Sequence, residues 1–278
     1  MRIYGIDFTS RPSRAKPITC LACKLTPGRR LVAGELITWA DFEGFEAALR
    51  RPGPWVAGID FPFGQARRFV ENIGWPRRWP DYVRHAESLG REGFRAALDG
   101  YRAERPAGDK EHRRQTDIAV GSISPQKLYG TPVGLMFFEG APRLCAAGVT
   151  IPGLQDGDSA RVVVEAYPGI LVRAVIGRKP YKQDTKSKQS QEQARARKEL
   201  LDALLGGTAL SLYGLRIDAP EELILDPGGD HLDALLCAIQ AAWAWMHRDE
   251  GFGAPDGFDR LEGWIADPAT RLGEGGKP

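Results

Sequence analysis

The chain opens with three short segments in which apolar residues alternate with smaller or polar ones: RIYGIDFTS, PITCLACKLTPG and RRLVAGELITWA. An apolar repeat of two residues is typical of β-strands that bury one face. Pro27 and Gly28, between the second and third segments, are typical turn residues. The pattern therefore predicts three strands joined by hairpins.

A helical pattern and a fourth strand follow. In DFEGFEAALRR, Phe42 and Phe45 begin an apolar stripe at helical spacing, and Asp41 is a typical N-cap. The next segment, WVAGIDFPF, is almost wholly apolar, as central strands covered on both faces are. The helical crossover favours parallel pairing of this strand with the first. Because both strands contain GIDF, Asp7 and Asp60 are expected side by side at one edge of the sheet.

Three more carboxylates lie at the ends of later elements. RVVVEAYPG has the pattern of a fifth strand that ends at Glu165. DHLDALLCAIQAAWAWMH has an apolar stripe at a spacing of three and four residues, which predicts a long helix. Asp230 and Asp233 stand one turn apart at its start. KSKQSQEQARARKELLDALLGG predicts a further helix that ends at paired glycines.

Residues 64–158 differ in pattern from the rest of the chain. They contain aromatic-basic stretches such as WPRRWPDYVR, a helical run near residues 87–103 and the loop-rich segment GSISPQKLYGTPVG. We interpret them as an insertion after the fourth strand of one α/β domain that spans residues 1–278. The insertion is expected to form a cap over the site or a small subdomain.

Composition narrows the classes of function. A chain of 278 residues that is 42% hydrophobic and 27% charged is ordinary for a globular protein. An apolar run of 18 residues and a signal-peptide pattern are both missing from the sequence, so the expectations are a cytoplasmic location and no membrane partner. Net charge is only +2. Eight basic residues between Arg178 and Lys198, Lys182 among them, form either a solvated face or a phosphate-contacting stripe.

Several sequence motifs of catalysis are missing. The chain has no P-loop, no G-x-G-x-x-G at the start of a helix and no G-x-S-x-G. Cys20 and Cys23 form one C-x-x-C pair without the second pair or the spaced histidines that a zinc site needs. Residues three apart on a strand face opposite sides, so we interpret both cysteines as packing residues.

The five carboxylates point to metal chemistry. Clustered carboxylates raise one another's pKa unless a cation holds them, and Mg²⁺ or Mn²⁺ prefers such oxygen ligands. These ions activate water and stabilise the leaving oxygen of a phosphodiester. We expect Asp7, Asp60 and Asp233 to bind the metal, with Glu165 or Asp230 completing the shell or orienting the water. Each also has a structural alternative: a turn, an ion pair with arginine, or a helix cap.

The motifs GIDFTS, GIDFPFG, EAYPG and D-x-x-D-A-L resemble domain-of-unknown-function family 429, as do RRQTDIAVGSISPQKLYGTPVGLMFFEGAPRL and EGWIADP. The resemblance covers nearly the whole chain and implies a nuclease of RNase H-like fold, more distantly similar to RuvC-type resolvases. That fold is a mixed five-stranded sheet in the order 3-2-1-4-5, flanked by helices. The resemblance implies catalytic roles for Asp7, Asp60, Asp230 and Asp233. Glu165 has no counterpart in RNase H, which takes one glutamate from its first helix.

Basic, polar and aromatic side chains, most of them in the insertion, are candidates for contact with a nucleic acid. The expected substrate-binding residues are Arg113, Arg114, Thr116, Asp117, Ser124, Lys127 and Lys182. Arg67 and Arg68 are further candidates for phosphate contacts. Trp75, Trp79 and Tyr129 are candidates for stacking on bases, with packing as the alternative for the tryptophans.

The leading hypothesis is therefore a Mg²⁺- or Mn²⁺-dependent nuclease that acts on DNA or RNA. An ATP-binding phosphotransferase of the actin or sugar-kinase type is a second hypothesis, since it shares a sheet whose first strand ends in aspartate. Such proteins need a glycine-rich first loop, whereas Phe8, Thr9 and Ser10 follow Asp7 here. A third hypothesis is a nucleic-acid-binding protein without catalysis, which needs no carboxylate metal site.

Overall fold

A seven-stranded mixed sheet lies at the centre of the molecule in a computed structural model that describes residues 1–271. Its strands are β1 (Arg2–Asp7), β2 (Ile18–Leu25), β3 (Arg30–Trp39), β4 (Trp55–Asp60), β5 (Val149–Thr150), β6 (Asp158–Glu165) and β7 (Arg216–Asp218). β1, β2 and β3 form the predicted antiparallel meander. β4 pairs with β1 in parallel, as the helical crossover predicts.

The sheet has two strands more than the five expected. The strand order is β5-β6-β4-β1-β2-β3-β7, which differs from the expected 3-2-1-4-5. The additional strands, β5 and β7, lie at opposite edges and contain two and three residues. Segments this short show no recognisable apolar alternation in the sequence. Between them, β6, β4, β1, β2 and β3 are consecutive neighbours, and β6 is the strand expected as the fifth.

Helices cover both faces of the sheet. Those in the described part of the chain are α1 (Phe42–Leu49), α2 (Arg67–Asn72), α3 (Trp79–Ser88), α4 (Gly90–Ala103), α5 (Gln115–Ala119), α6 (Val133–Ala147), α7 (Gly169–Ile176), α8 (Gln191–Ala203), α9 (Ala209–Tyr213), α10 (Asp230–Met246) and α11 (Pro268–Arg271). Asp41 caps α1 as predicted, because its side chain accepts a hydrogen bond from the backbone N–H of Gly44. Within residues 1–271, each helix is too short or too polar to cross a lipid bilayer.

Two hydrophobic clusters lie on opposite sides of the sheet because successive strand residues face opposite ways. Val162 and Val164 of β6 pack in the cluster that contains α7, α8 and α10, whereas Val163 packs in the one that contains α1, α3, α4 and α6. Cys20 and Cys23 are buried in different clusters, as their spacing predicts.

Helices from the segment 64–158 contribute directly to the second cluster. Phe94 of α4 and Phe137 of α6 are fully buried there, together with Ile6 and Ile59 of the central strands. The segment is thus packed against the sheet through a shared core. The turn before α6 also brings Thr131 to the edge of the sheet at which β1 and β4 end.

The repeated GIDF tetrapeptide follows from the path of α10 across β1 and β4. Gly5 and Gly58 are paired in register, and α10 lies directly on them. A Cβ atom at Gly5 would be 1.8 Å from the carbonyl oxygen of Ala234, and one at Gly58 would be 2.4 Å from that of Cys237. Glycine therefore permits the close approach of the helix. In both copies the isoleucine fills the opposite cluster and the aspartate ends the strand.

Candidate active site

Asp7 and Asp60 are paired in register at the ends of β1 and β4. Asp7 is buried and Asp60 is half-buried, and neither carboxylate accepts a hydrogen bond from residues 1–271. Burial, followed by the charge of Asp233, raises the pKa of Asp7 well above its ordinary value. The same causes raise the pKa of Asp60 to about 7. Two carboxylates at strand ends thus lie side by side, and no hydrogen-bond donor of the described residues offsets their charge.

The carboxylates of α10 lie beside this pair, and lysines neutralise them. Asp233 is fully buried, and it accepts hydrogen bonds of 2.5 Å from both the Tyr181 hydroxyl and Nζ of Lys182. Asp230 accepts one of 2.7 Å from Nζ of Lys16. Burial is the strongest single influence and works to lower the pKa of Lys182, but the surrounding acidic groups, Asp233 first among them, together outweigh it and raise the pKa well above its ordinary value. Burial also works to lower the pKa of Lys16, but its hydrogen bonds to Asp184 and Asp230 raise it, so both lysines are charged.

The turn before α10 explains how the helix presents two aspartates. Gly229 is the N-cap residue and has a φ of 79°, a conformation that favours glycine. The carboxylate of Asp226 accepts hydrogen bonds from the backbone N–H groups of Gly228 and Asp230. Asp230 is thus the first residue of the helix and not its N-cap, so its side chain stays available to Lys16.

Two cavities flank the cluster. One, of about 370 Å³, is lined by Asp7, Asp230 and Lys16. The other, of about 300 Å³, is lined by Glu165 and by apolar side chains. The walls common to both are Asp60, Thr131, Met136 and Lys182. Asp60 and Lys182 therefore stand between a polar compartment and a more apolar one.

Glu165 ends β6, and Ile59 is its partner in β4. Its carboxylate accepts hydrogen bonds of 2.7 and 2.5 Å from the guanidinium of Arg114 and one of 2.8 Å from the backbone N–H of Phe63. Burial raises the pKa of Glu165, and Arg114 opposes the shift. This ion pair is the structural alternative expected for Glu165, and a catalytic role for the residue stays a prediction.

The predicted substrate-binding residues around α5 are held by contacts within the protein. Arg114 is 1% exposed, and its guanidinium also donates to the carboxylate of Asp117. Both residues line the more apolar cavity. Thr116 accepts a hydrogen bond from the backbone N–H of Ile265, and Ser124 donates one to a backbone carbonyl.

Three other predicted substrate-binding residues have different surroundings. Arg113 is exposed and lines neither cavity. Lys127 is half-buried, with Nζ 5.1 Å from the ring centroid of the exposed Tyr129. Lys182 lines both cavities. The structure therefore places only Lys182 of these three beside the carboxylate cluster.

The remaining candidates for nucleic-acid contact lie elsewhere. Trp75 and Trp79 are buried in the hydrophobic core, which is the packing alternative. Arg67 forms an ion pair with Asp259, and Arg68 forms one of 2.7 Å with an aspartate of the segment 64–158. None of these four residues lines either cavity beside the cluster.

The sequence places these elements in a known family. The family described as "Protein of unknown function (DUF429)" matches residues 5–258, which include both GIDF aspartates, Glu165 and the start of α10. The chain belongs to the DUF429 family. The resemblance expected from the motifs is confirmed at this level. Neither a curated protein nor a solved structure matches this DUF429 chain.

Sequence reasoning missed three side chains at the site of this DUF429 protein. Lys16 lies in the loop between β1 and β2, and Tyr181 precedes Lys182 in the basic stretch. Met136, from the first turn of α6, lies in the wall of both cavities. None of the three belongs to a motif with a defined spacing, since long-range packing brings them to the cluster.

The carboxylates of the DUF429 site supply only part of the ligand set of a hard divalent cation. Within residues 1–271, no three His, Cys, Asp or Glu side chains are arranged closely enough to hold a metal ion as they stand. Tyr181 and Lys182 each donate a hydrogen bond to one oxygen of Asp233, so this residue would serve as a ligand only after Lys182 moved away. Asp7 and Asp60 have carboxylate oxygens without proton donors, and such oxygens suit Mg²⁺ or Mn²⁺.

Proposed function

We propose that this DUF429 protein is a divalent-metal-dependent nuclease that hydrolyses phosphodiester bonds at Asp7, Asp60 and Asp233. The observation that carries the proposal is the in-register pair of Asp7 and Asp60, which lies in a cavity of about 370 Å³ and accepts no hydrogen bond from the described residues. Burying two carboxylates beside the charge of Asp233, without a hydrogen-bond donor, is costly unless a cation binds them. A pair of buried carboxylates without hydrogen-bond donors is suited to bind a cation.

We further propose that the fold is RNase H-like. The five central strands, β6, β4, β1, β2 and β3, are consecutive neighbours, and the additional strands lie at the edges. The proposed ligands come from the first strand, from its parallel neighbour and from a late helix that packs on both. Rigid elements of this kind hold ligands in place better than loops do.

In the proposed mechanism, Mg²⁺ or Mn²⁺ supplies an activated water and neutralises charge on the scissile phosphate. Asp7 and Asp60 would hold the ion, and Asp233 would join them once Lys182 no longer bound its carboxylate. Lys16 and Lys182, on the walls of the polar cavity, attract the phosphate groups of the substrate. Met136 and Thr131 also line both cavities beside Asp60.

One observation favours a second candidate, a protein that binds nucleic acid without cleaving it. Lysines already neutralise both carboxylates at the start of α10, so part of the cluster has its own cations. Such a protein would bind oligonucleotides in a salt-sensitive way, in the presence of EDTA and without turnover.

Cleavage of labelled single-stranded DNA and RNA, with Mg²⁺, Mn²⁺ or EDTA, tests the proposal. We expect metal-dependent cleavage by the unmodified protein. In Asp7→Asn the cleavage rate should fall by at least about 100-fold, because an amide NH2 group replaces one carboxylate oxygen that would bind the ion. Asp218→Asn is the matched control, since Asp218 also ends a strand but is exposed at the far edge of the sheet. Undiminished metal-dependent cleavage by Asp7→Asn would refute the assignment, and tight binding without turnover would favour the second candidate.

A further inference from the structure

A larger cavity, of about 620 Å³, lies apart from the carboxylate cluster. It shares no lining residue with either cavity beside Asp60. The turn after β5 and the segment before α3 form much of its wall. Among the described residues, Asp156 is the one acidic residue that lines it. The basic residues of the wall are Arg67, Arg77, Arg78, Arg84 and Arg260.

The protein compensates only part of this positive charge. Arg67 is paired with Asp259. Arg78 and Arg84 share one carboxylate, that of Asp81, at N–O distances of 3.6 and 3.4 Å. By contrast, the other two arginines of the wall have neither an ion pair nor a side-chain hydrogen bond to any residue in 1–271. These two are Arg77 and Arg260, and both are exposed.

Helix α3 adds to the positive potential. Trp79 and Pro80, its first two residues, lie in the wall of the cavity. Arg78 is the N-cap residue, and its side chain makes no capping hydrogen bond. The positive end of a ten-residue helix therefore lies at the same cavity as the five arginines, and Asp81 of its first turn offsets part of this charge. Two sources of positive potential converge on one concave surface.

We propose that this arginine-lined cavity binds the phosphate groups of a polyanion, outside the carboxylate cluster. The planar guanidinium group of arginine donates paired hydrogen bonds to phosphate oxygens. Five arginines around one opening are suited to a ligand with several phosphate groups rather than a single phosphate. The volume lies within the range of about 300–1,000 Å³ that ligand sites occupy. The phosphates come either from a nucleic-acid backbone or from a free polyphosphate. Binding here needs neither metal nor hydrolysis, so it is independent of the proposed nuclease activity.

Two ligands separate these sources when binding is measured in EDTA. Fluorescence anisotropy gives the Kd of a labelled single-stranded oligonucleotide, and calorimetry gives that of inorganic tripolyphosphate. The double variant Arg77→Ala/Arg260→Ala removes the two unpaired arginines. Arg216→Ala is the matched control because Arg216 is exposed, has no ion pair in the described part of the chain and lies on β7 at the opposite edge of the sheet.

We expect the double variant to raise the Kd by about tenfold or more, since each charged hydrogen bond contributes on that order. The slope of log Kd against log salt concentration should fall by about one to two, because fewer counterions are released. Loss of oligonucleotide binding identifies the nucleic-acid backbone as the source, and loss of tripolyphosphate binding alone identifies a free polyphosphate. Unchanged Kd values for both ligands, with melting temperatures equal to that of the control, overturn the proposal.

Discussion

Acidic side chains at the site differ in what compensates their charge. Glu165 is bound by an arginine, and Asp230 and Asp233 are bound by lysines. Asp7 and Asp60 accept hydrogen bonds from none of residues 1–271. The sequence shows all five only as carboxylates at element ends. Asp7 and Asp60 are therefore the two carboxylates of the site whose charge no neighbouring group of the described residues binds, and a cation would stabilise them most.

The raised pKa of Asp60 predicts how stability depends on pH in the absence of metal. A carboxyl with a pKa of about 7 in the folded state, against 3.8 ordinarily, binds its proton more tightly when folded. The free energy of unfolding should therefore fall as the pH rises from about 4 to 7, by at most about 1.4 kcal/mol per pH unit for this group. Urea unfolding in EDTA measures the slope. Asp60→Asn should make the slope smaller, with the part due to Asp7 remaining, and Asp218→Asn should leave it unchanged; equal slopes in all three proteins would contradict the assigned environment.

In the proposed mechanism, Lys182 and the metal ion would compete for the carboxylate of Asp233. Removing its charge in Lys182→Met leaves Asp233 without its cation, so we expect Mn²⁺ to bind about tenfold more tightly, a gain of about 1.4 kcal/mol. Calorimetric titration with Mn²⁺ measures this change without an activity assay. Lys179→Met is the control, because Lys179 pairs with Glu199 at the surface. Weaker or unchanged Mn²⁺ affinity in Lys182→Met would show that the lysine and the ion do not share the carboxylate.

At the scale of elements, the contact of α10 with β1 and β4 positions the whole cluster. Gly58→Ala places a Cβ atom 2.4 Å from the carbonyl oxygen of Cys237, and the helix must shift to accept it. We expect a loss of at least about 2 kcal/mol in the free energy of unfolding, measured with urea. Gly100→Ala is the matched control, since Gly100 lies in α4 with open space around it and should gain about 0.5–1 kcal/mol. Equal stability of the two variants would mean that α10 does not lie on β4 as described.

Periodicity in the sequence predicted the longer elements well. The meander, the parallel pairing of β4 and the helix that begins at Asp230 all follow from apolar spacing, and these elements bring Asp7 next to Asp60. The edge strands β5 and β7 were missed because two or three residues have no period. Lys16 and Tyr181 were missed for another reason. They reach the cluster through contacts between loops far apart in sequence, which no local pattern records.

At the scale of the whole molecule, one buried ion network joins three parts of the chain. Arg114, from the segment 64–158, binds Asp117 beside it and Glu165 at the end of β6. The same guanidinium donates to the carbonyl oxygen of Glu262, near the C-terminal end of the described residues. The backbone of Glu165 in turn pairs with that of Ile265. The network thus holds the segment 64–158 and the C-terminal segment against the sheet, next to Asp60.

Breaking this network should destabilise the protein strongly. Arg114→Met leaves the buried carboxylates of Asp117 and Glu165 without a cation, so we expect the free energy of unfolding to fall by about 3–5 kcal/mol in urea titrations. Arg113→Met is the control, since Arg113 is exposed, and it should change stability by no more than about 0.5 kcal/mol. Adding Glu165→Gln to Arg114→Met removes one uncompensated charge and should recover part of the loss. If these ion pairs do not stabilise the fold, Arg114→Met will be as stable as its control. An uncompensated carboxylate lowers the free energy of unfolding only where the folded protein shields that carboxylate from water.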